Sequence, residues 1–300
     1  MSGAEVRTVA TVVLILMSSL PSIARGASAC ERDVATCQSV YKVRVHCRGP
    51  GEVLVQTGFR VQSLLPGGKA VKGILTSLHG VSECTDQSTI DAIRADEKVW
   101  VKSLKIVLVD VDSDVAVLDS QELSTNKEGF ESAPARILKE KESVKVWGYP
   151  RGVERFDRSF VVDSPPLRVL REVASDLFRG VLEQRRSPHP GNDVLVIIGN
   201  AAPGSSGGPV LANGKVVGLL AGGVGELNLS WVIPIERVNL ELRSKPAISK
   251  RLSELLTLNL GDDVRRSLFA GEYLDDSEFD VCKEDNPPIC CLFESKCDRK

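Results

Sequence analysis

Three short stretches of this 300-residue chain carry side chains suited to nucleophilic chemistry. The first is "GILTSLHGV", an apolar run ending in His79 and Gly80. A strand there would deliver an imidazole to a loop, where scaffolds place reactive groups. The other two histidines are blander: His46 falls in an alternating strand pattern and His189 between prolines in "SPHP". The second stretch is "VDVDSDVAVLDS". Asp114 directly precedes the aliphatic run Val115 to Leu118, so its carboxylate is expected to be partly buried and to need a partner. An imidazole N–H suits it: the pair orients the ring and favours the imidazolium during proton transfer. Asp110, Asp112 and Asp119 lie close by, and residue type and spacing alone do not choose among the four. The third stretch is "PGSSGGP", with Ser206 preceded by Gly204 and followed by Gly207 and Gly208. A nucleophilic hydroxyl needs a base and donors for the developing oxyanion. Glycine permits the sharp inward turn that lets Gly204 and Ser206 aim their N–H groups into one concavity.

The elements that must hold these groups are mostly short strands. Apolar or alternating runs occur at Tyr41 to His46, Val53 to Val61, Lys98 to Val109, Val115 to Leu118 and Val144 to Trp147. More follow at Phe160 to Val162, Val194 to Ile198, Val216 to Leu220 and Leu229 to Ile233. Gly, Pro, Asn and Asp separate them, which predicts an all-β barrel or sandwich. Leu170, Val173, Leu177 and Val181 recur at helical spacing and predict a helix within 166–186. Ile248, Leu252, Leu255 and Leu256 predict an amphipathic helix from Pro246 to Leu258, with Pro at its start. Beyond Gly261 the chain is acidic and then Cys-rich, an appendage expected to be held by disulfides.

Composition limits the partners. Apolar residues make up 42% and charged residues 26%, with net charge −2, as in an ordinary soluble globular protein. No basic cluster points to nucleic acid. Val9 to Leu20 is apolar, with Arg7 before it and Ala27-Ser28-Ala29 after it. This reads as a cleaved signal peptide spanning 1–29, too short for a stable membrane span, and implies secretion or the periplasm. Lipid attachment at Cys30 is the lesser alternative, because Ala27 stands where that signal has Leu and an odd thiol would be left. All eight cysteines follow the leader, an even count that favours disulfides in an oxidising compartment. Cys282, Cys290, Cys291 and Cys297 lack paired C-x-x-C spacing and a nearby His, so no metal is expected. No cofactor is expected either.

"TSLHGV", "SDVAVL" and "PGSSGGPV" follow one another in the order His, Asp, Ser, and resemble the three catalytic motifs of chymotrypsin/trypsin-like serine proteases. The flanks "QTGFRV", "VKVWGYPRG", "GKVVGLLAGG" and "LSWVIPIERV" are similar to the strands around those motifs. The likeness runs from Tyr41 to Leu240 and is nearest the bacterial peptidases on the HtrA (Deg) side of the family. It implies two six-stranded antiparallel β-barrels, the first within 30–125 and the second within 140–240, with 241–300 forming the helix and Cys-rich tail. It implies His79 as general base, Asp114 as its orienting partner, Ser206 as nucleophile, and Gly204 and Ser206 as oxyanion donors. Substrate backbone would pair with the strand from Leu219 through Ala221, Gly222 and Gly223. Asn200, six residues before Ser206, would sit at the base of the specificity pocket; being uncharged, it implies small or medium uncharged side chains there. A Cys47–Cys84 disulfide near the catalytic loop is likewise implied. Ser77-Leu78 before the His and Ser205 before the nucleophile depart from common family residues, with Leu78 expected to pack into the barrel. About sixty residues follow Leu240, too few for the PDZ module of many HtrA proteases, and no I-V-G-G activation sequence occurs. The implied activity is an exported serine endopeptidase acting on proteins or peptides; the competing reading is a non-catalytic or zymogen-like binding protein on the same fold.

Overall fold

The structure is a computed structural model, and it describes residues 30, 33–46, 53–82, 89–123, 129–152, 156–224 and 227–257. The leader 1–29, Cys47, Cys84 and the tail beyond 257 lie outside the described residues.

Six strands make the first barrel: β1 Val40–His46, β2 Val53–Phe59, β3 Ile74–Ser77, β4 Thr89–Arg94, β5 Trp100–Asp110 and β6 Val115–Asp119. They pair antiparallel in the order β4-β1-β2-β3-β6-β5, and β5 closes onto β4. The second barrel comprises β7 Ser143–Gly148, β8 Phe156–Val169, β9 Asp193–Ile198, β10 Pro209–Ala212, β11 Lys215–Val224 and β12 Leu229–Pro234. Its closed order is β10-β11-β12-β9-β8-β7. A short β13, Glu241–Leu242, returns to the first barrel and pairs with Val109 and Leu108 of β5.

The apolar runs are continuous because many strands are buried on both faces. In β9, Leu195 and Ile197 fill the second barrel while Val194 and Val196 pack against the region between barrels. In β6, Ala116 and Leu118 fill the first barrel while Val115 and Val117 join that same middle region. The period-2 alternation of side chains thus sorts one run into two cores. The middle cluster draws Phe59 and Val61 from one barrel and Trp147, Leu219, Trp231 and Ile233 from the other. The functional groups described below lie along this seam.

Two expectations differ from the structure. His79 is carried by a short helical turn, Leu78–Ser82, where a loop was expected. Leu78 is indeed buried in the first barrel's core, which anchors that turn. The predicted helix within 166–186 begins late: β8 runs to Val169, and two helices follow at Leu170–Val173 and Asp176–Arg185. Pro165 and Pro166 fall where the β8–β9 register shifts, between Val162 and Leu167, so their missing N–H groups break no regular ladder. The C-terminal helix spans Pro246–Thr257, and Ile248, Leu252 and Leu255 cover the first barrel's core. Cys30 and Cys37 form a disulfide.

Candidate active site

Strand register builds the His–Asp pair. Ser77 ends β3 opposite Val115, which begins β6. The residues just beyond this pairing must therefore meet, and Leu78 N donates to Asp114 O at 2.8 Å. His79 N donates to Asp114 Oδ1 at 2.8 Å, and His79 Nδ1 lies 2.5 Å from Oδ2. Asp114 takes a left-handed backbone, φ 57°, and its side chain is fully buried, against 14% exposure for His79. A buried carboxylate that accepts from the His79 backbone N–H and faces its Nδ1 assigns the ring proton to Nδ1. Nε2 is left with its lone pair, ready to take a proton. Below the turn, Ser77 Oγ donates to Gln56 Oε1 at 2.6 Å. A Cβ on Gly80 would stand 1.9 Å from that Oε1, so a larger residue there would have to displace the Gln56 side chain and its bond to Ser77.

The other aspartates have separate tasks. Asp110 accepts from Ser113 N at 3.1 Å and Asn239 N at 2.7 Å, tying the turn to the segment that re-enters the first barrel. Asp112 pairs with Arg251 at 2.6 Å. Asp119 accepts from Ser120 N.

The serine loop comes from the second barrel and is clamped to the first. Ser205 N donates to Ala202 O, Gly208 N to Ser205 O, and Gly207 N to Leu220 O, which makes a tight double turn. Gly204 and Gly207 take φ values of 82° and 81°. A Cβ on Gly207 would lie 2.3 Å from Thr57 O and 2.7 Å from Ser77 N, so the loop touches β3 two residues before His79. One on Gly208 would lie 2.2 Å from Trp147 O. The glycines allow close approach between barrels, and the loop is constrained. Among the described residues, neither the Gly204 N–H nor the Ser206 N–H donates to a protein acceptor. Ser205 is fully buried and its Oγ has no partner among the described residues.

Thr57, inside β2, holds this loop. Its N donates to Ser206 O at 3.0 Å, and its Oγ1 donates to Gly204 O at 2.7 Å while accepting from Tyr149 N at 3.0 Å. Thr76 Oγ1 in turn donates to Thr57 O at 2.7 Å. The peptide bearing the Ser206 N–H is thus flanked by two peptides whose carbonyls one threonine fixes. Nothing in a one-dimensional reading of "QTGFRV" signals this, because the partners lie about 150 residues away.

Ala221, Gly222 and Gly223 lie near the end of β11. β10 pairs with β11 only from Lys215 to Leu219, so beyond Leu220 the strand has one side without a β10 partner. Such an edge suits an added peptide strand. A Cβ on Gly222 would stand 2.4 Å from the Trp231 ring. Asn200 is exposed. A further residue not foreseen, buried Ser230, accepts from Ala201 N at 3.1 Å and donates to Gly199 O at 2.7 Å, fixing the backbone on both sides of Asn200.

The family model for the trypsin-like peptidase domain matches residues 56–219, more than half of the chain, and this span contains His79, Asp114 and Ser206. Among solved structures, the active form of the Rv3671c protease from M. tuberculosis is similar at 22% identity and TM-score 0.51, over 74% of this chain and 82% of that one. A serine-to-alanine variant of the HtrA-type protease AlgW with a tripeptide is similar at 14% identity and TM-score 0.50, over 68% of this chain and 58% of that one. These likenesses bear on the fold. No curated protein matches the sequence significantly. With its two barrels and the matched domain, the chain belongs to the trypsin-like peptidase family and is a serine protease.

Proposed function

We propose that the chain is an exported endopeptidase that cleaves proteins or peptides through a Ser206–His79–Asp114 triad. Ser206 Oγ attacks the scissile carbonyl as His79 Nε2 takes its proton. Asp114 keeps the ring oriented and stabilises the imidazolium. The N–H groups of Gly204 and Ser206 receive the oxyanion; His79 then protonates the leaving amine, and water resolves the acyl-enzyme. Substrate backbone adds to β11 along Ala221, Gly222 and Gly223, and uncharged Asn200 favours small or medium uncharged side chains beside it. One observation carries the reading: Asp114 is fully buried and both its oxygens are directed at His79. A buried carboxylate so placed has a cost that a purely structural role does not require.

Export is supported by the apolar leader ahead of Ala29 and by the Cys30–Cys37 disulfide, a bond that persists in oxidising compartments. Cys30 uses in that bond the sulfur a lipid would need. Among the described residues no helix is long and apolar enough to cross a membrane. A fluorophosphonate probe tests the catalytic reading. The mature protein should label and hydrolyse unfolded protein, and Ser206→Ala should do neither. A folded wild-type protein that never labels would refute the proposal and favour a binding protein on this fold.

A further inference from the structure

The helices Asp176–Arg185 and Pro246–Thr257 border a cavity of about 570 Å3, outside the catalytic seam. Its charged or titratable lining is Arg185, Arg186, His189, Arg251, Asp112 and Glu254. Arg251 is committed to Asp112 at 2.6 Å, and Glu254 faces Lys250 one helical turn away. Arg185 is different. It is only 9% exposed, and its Nε is buried with no hydrogen-bond partner among the described residues. Guanidinium does not escape burial by losing its proton. The helix C-terminus, where Arg185 sits, favours a cation only weakly compared with the penalty of burying one unpaired.

His189 adds a second, independent mismatch. Gly191 N donates to its Nδ1 at 3.1 Å, so the ring proton belongs on Nε2. That Nε2 faces Arg186 Nη2 at 3.4 Å. Two donors therefore point at each other, an arrangement that a shared acceptor would complete. Arg185, Arg186 and His189 lie within five consecutive residues on one wall of the cavity.

We propose that this cavity is an oxyanion-binding site, taking a carboxylate or phosphate group on Arg185, Arg186 and His189. The site lies behind the catalytic loop: His189 N and Asn192 Nδ2 both donate to Asp112 O, two residues before Asp114. The ligand's wall and the loop bearing the triad carboxylate are thus one hydrogen-bonded unit.

Calorimetric titration and thermal unfolding of the mature chain test this, with inorganic phosphate and acetate as probes and chloride at matched ionic strength as control. Saturable binding and a saturable rise in Tm are expected with at least one oxyanion and not with chloride. A stronger response to phosphate assigns a phosphate ligand, and a stronger response to acetate assigns a carboxylate. Losing one charge-assisted contact in exposed Arg186→Gln should weaken binding at least about tenfold. Arg185→Met, which removes the unpaired buried charge, should raise Tm without added anion and abolish the anion's effect. No saturable binding of either oxyanion, or unchanged affinity in Arg186→Gln, overturns the proposal whether or not Arg185→Met folds. Because the readouts are binding and unfolding, they stand independently of the catalytic reading.

Discussion

The first barrel contains two His–Asp pairs with nearly the same contact and different surroundings. His79 Nδ1 lies 2.5 Å from Asp114, with side-chain exposures of 14% and 0%; His46 Nε2 lies 2.8 Å from Asp91, with exposures of 37% and 15%. Among the described residues, Asp114 turns both oxygens to His79 alone. Asp91 sits opposite Arg44 across the β1–β4 pairing and is also held by that guanidinium, at 2.7 and 3.0 Å. A permanent cation on Asp91 satisfies its charge without any contribution from His46. The contact between His and Asp is therefore not what sets the proposed catalytic pair apart. Burial without a competing cation among the described residues, at the seam where a serine loop arrives from the other barrel, is.

The comparison can be broken or sharpened by substitution. The largest effect should come from Asp114→Asn, which keeps the shape but favours the wrong tautomer; kcat should fall about 10⁴-fold with the fold retained by circular dichroism. Asp91→Asn, its counterpart, should leave kcat within about twofold, and a comparable loss in both would end the distinction drawn here.

Thr57→Val tests how the seam positions the serine loop. It leaves Gly204 O and Tyr149 N without the Thr57 hydroxyl, and should lower kcat about tenfold, less than deleting an oxyanion donor outright. KM should change little, and Thr57→Ser should restore the rate. A rise in KM with kcat intact would show that Thr57 supports only the fold.

Acid unfolding separates the pairs at smaller scale. Burial alone would raise the Asp91 carboxyl, but the hydrogen bonds from Arg44 and His46 outweigh it and hold it below the usual range. Its folded pKa lies under the unfolded value of about 3.9, so its stabilising contribution is present above that pH and is lost as pH falls through the folded value. The stability gap between wild type and Asp91→Asn, read from urea titrations, should be modest at pH 7 and close below about pH 4. A gap that widens in acid would contradict this. The smallest effect is expected from Ser205→Ala. Its buried hydroxyl has no partner among the described residues, so removal should leave kcat near wild type and stability unchanged or slightly higher.

Much of the site was legible before folding was considered. Ser206 could be told from Ser205 because glycines flank one side of it and stand two residues away on the other, and the structure gives each glycine a reason. Gly207 and Gly208 face backbone of the first barrel and of β7 at distances no Cβ tolerates. The helical turn at His79 was not legible: five residues are too few to show a period, and Leu78 is drawn inward by the barrel core. The start of the helix after β8 is not legible either, because Pro165, Pro166 and the "LRVL" run suit either state until pairing with β9 decides.

By itself the sequence specified the order of the three motifs, the many short strands, and the places where only glycine would serve. These are local properties, carried by side-chain type and period-2 alternation. Residue type and spacing leave four aspartates open and the motif resemblance points to Asp114; the meeting with His79 itself depends on β3–β6 register across some 35 residues. The tertiary structure alone made Thr57 and Ser230 part of the site, since a hydroxyl's role is set by the carbonyl it reaches. It also left Arg185 Nε buried without a hydrogen-bond partner among the described residues, a feature that no residue type or spacing announces, because being unpaired is a property of a folded neighbourhood and of nothing shorter.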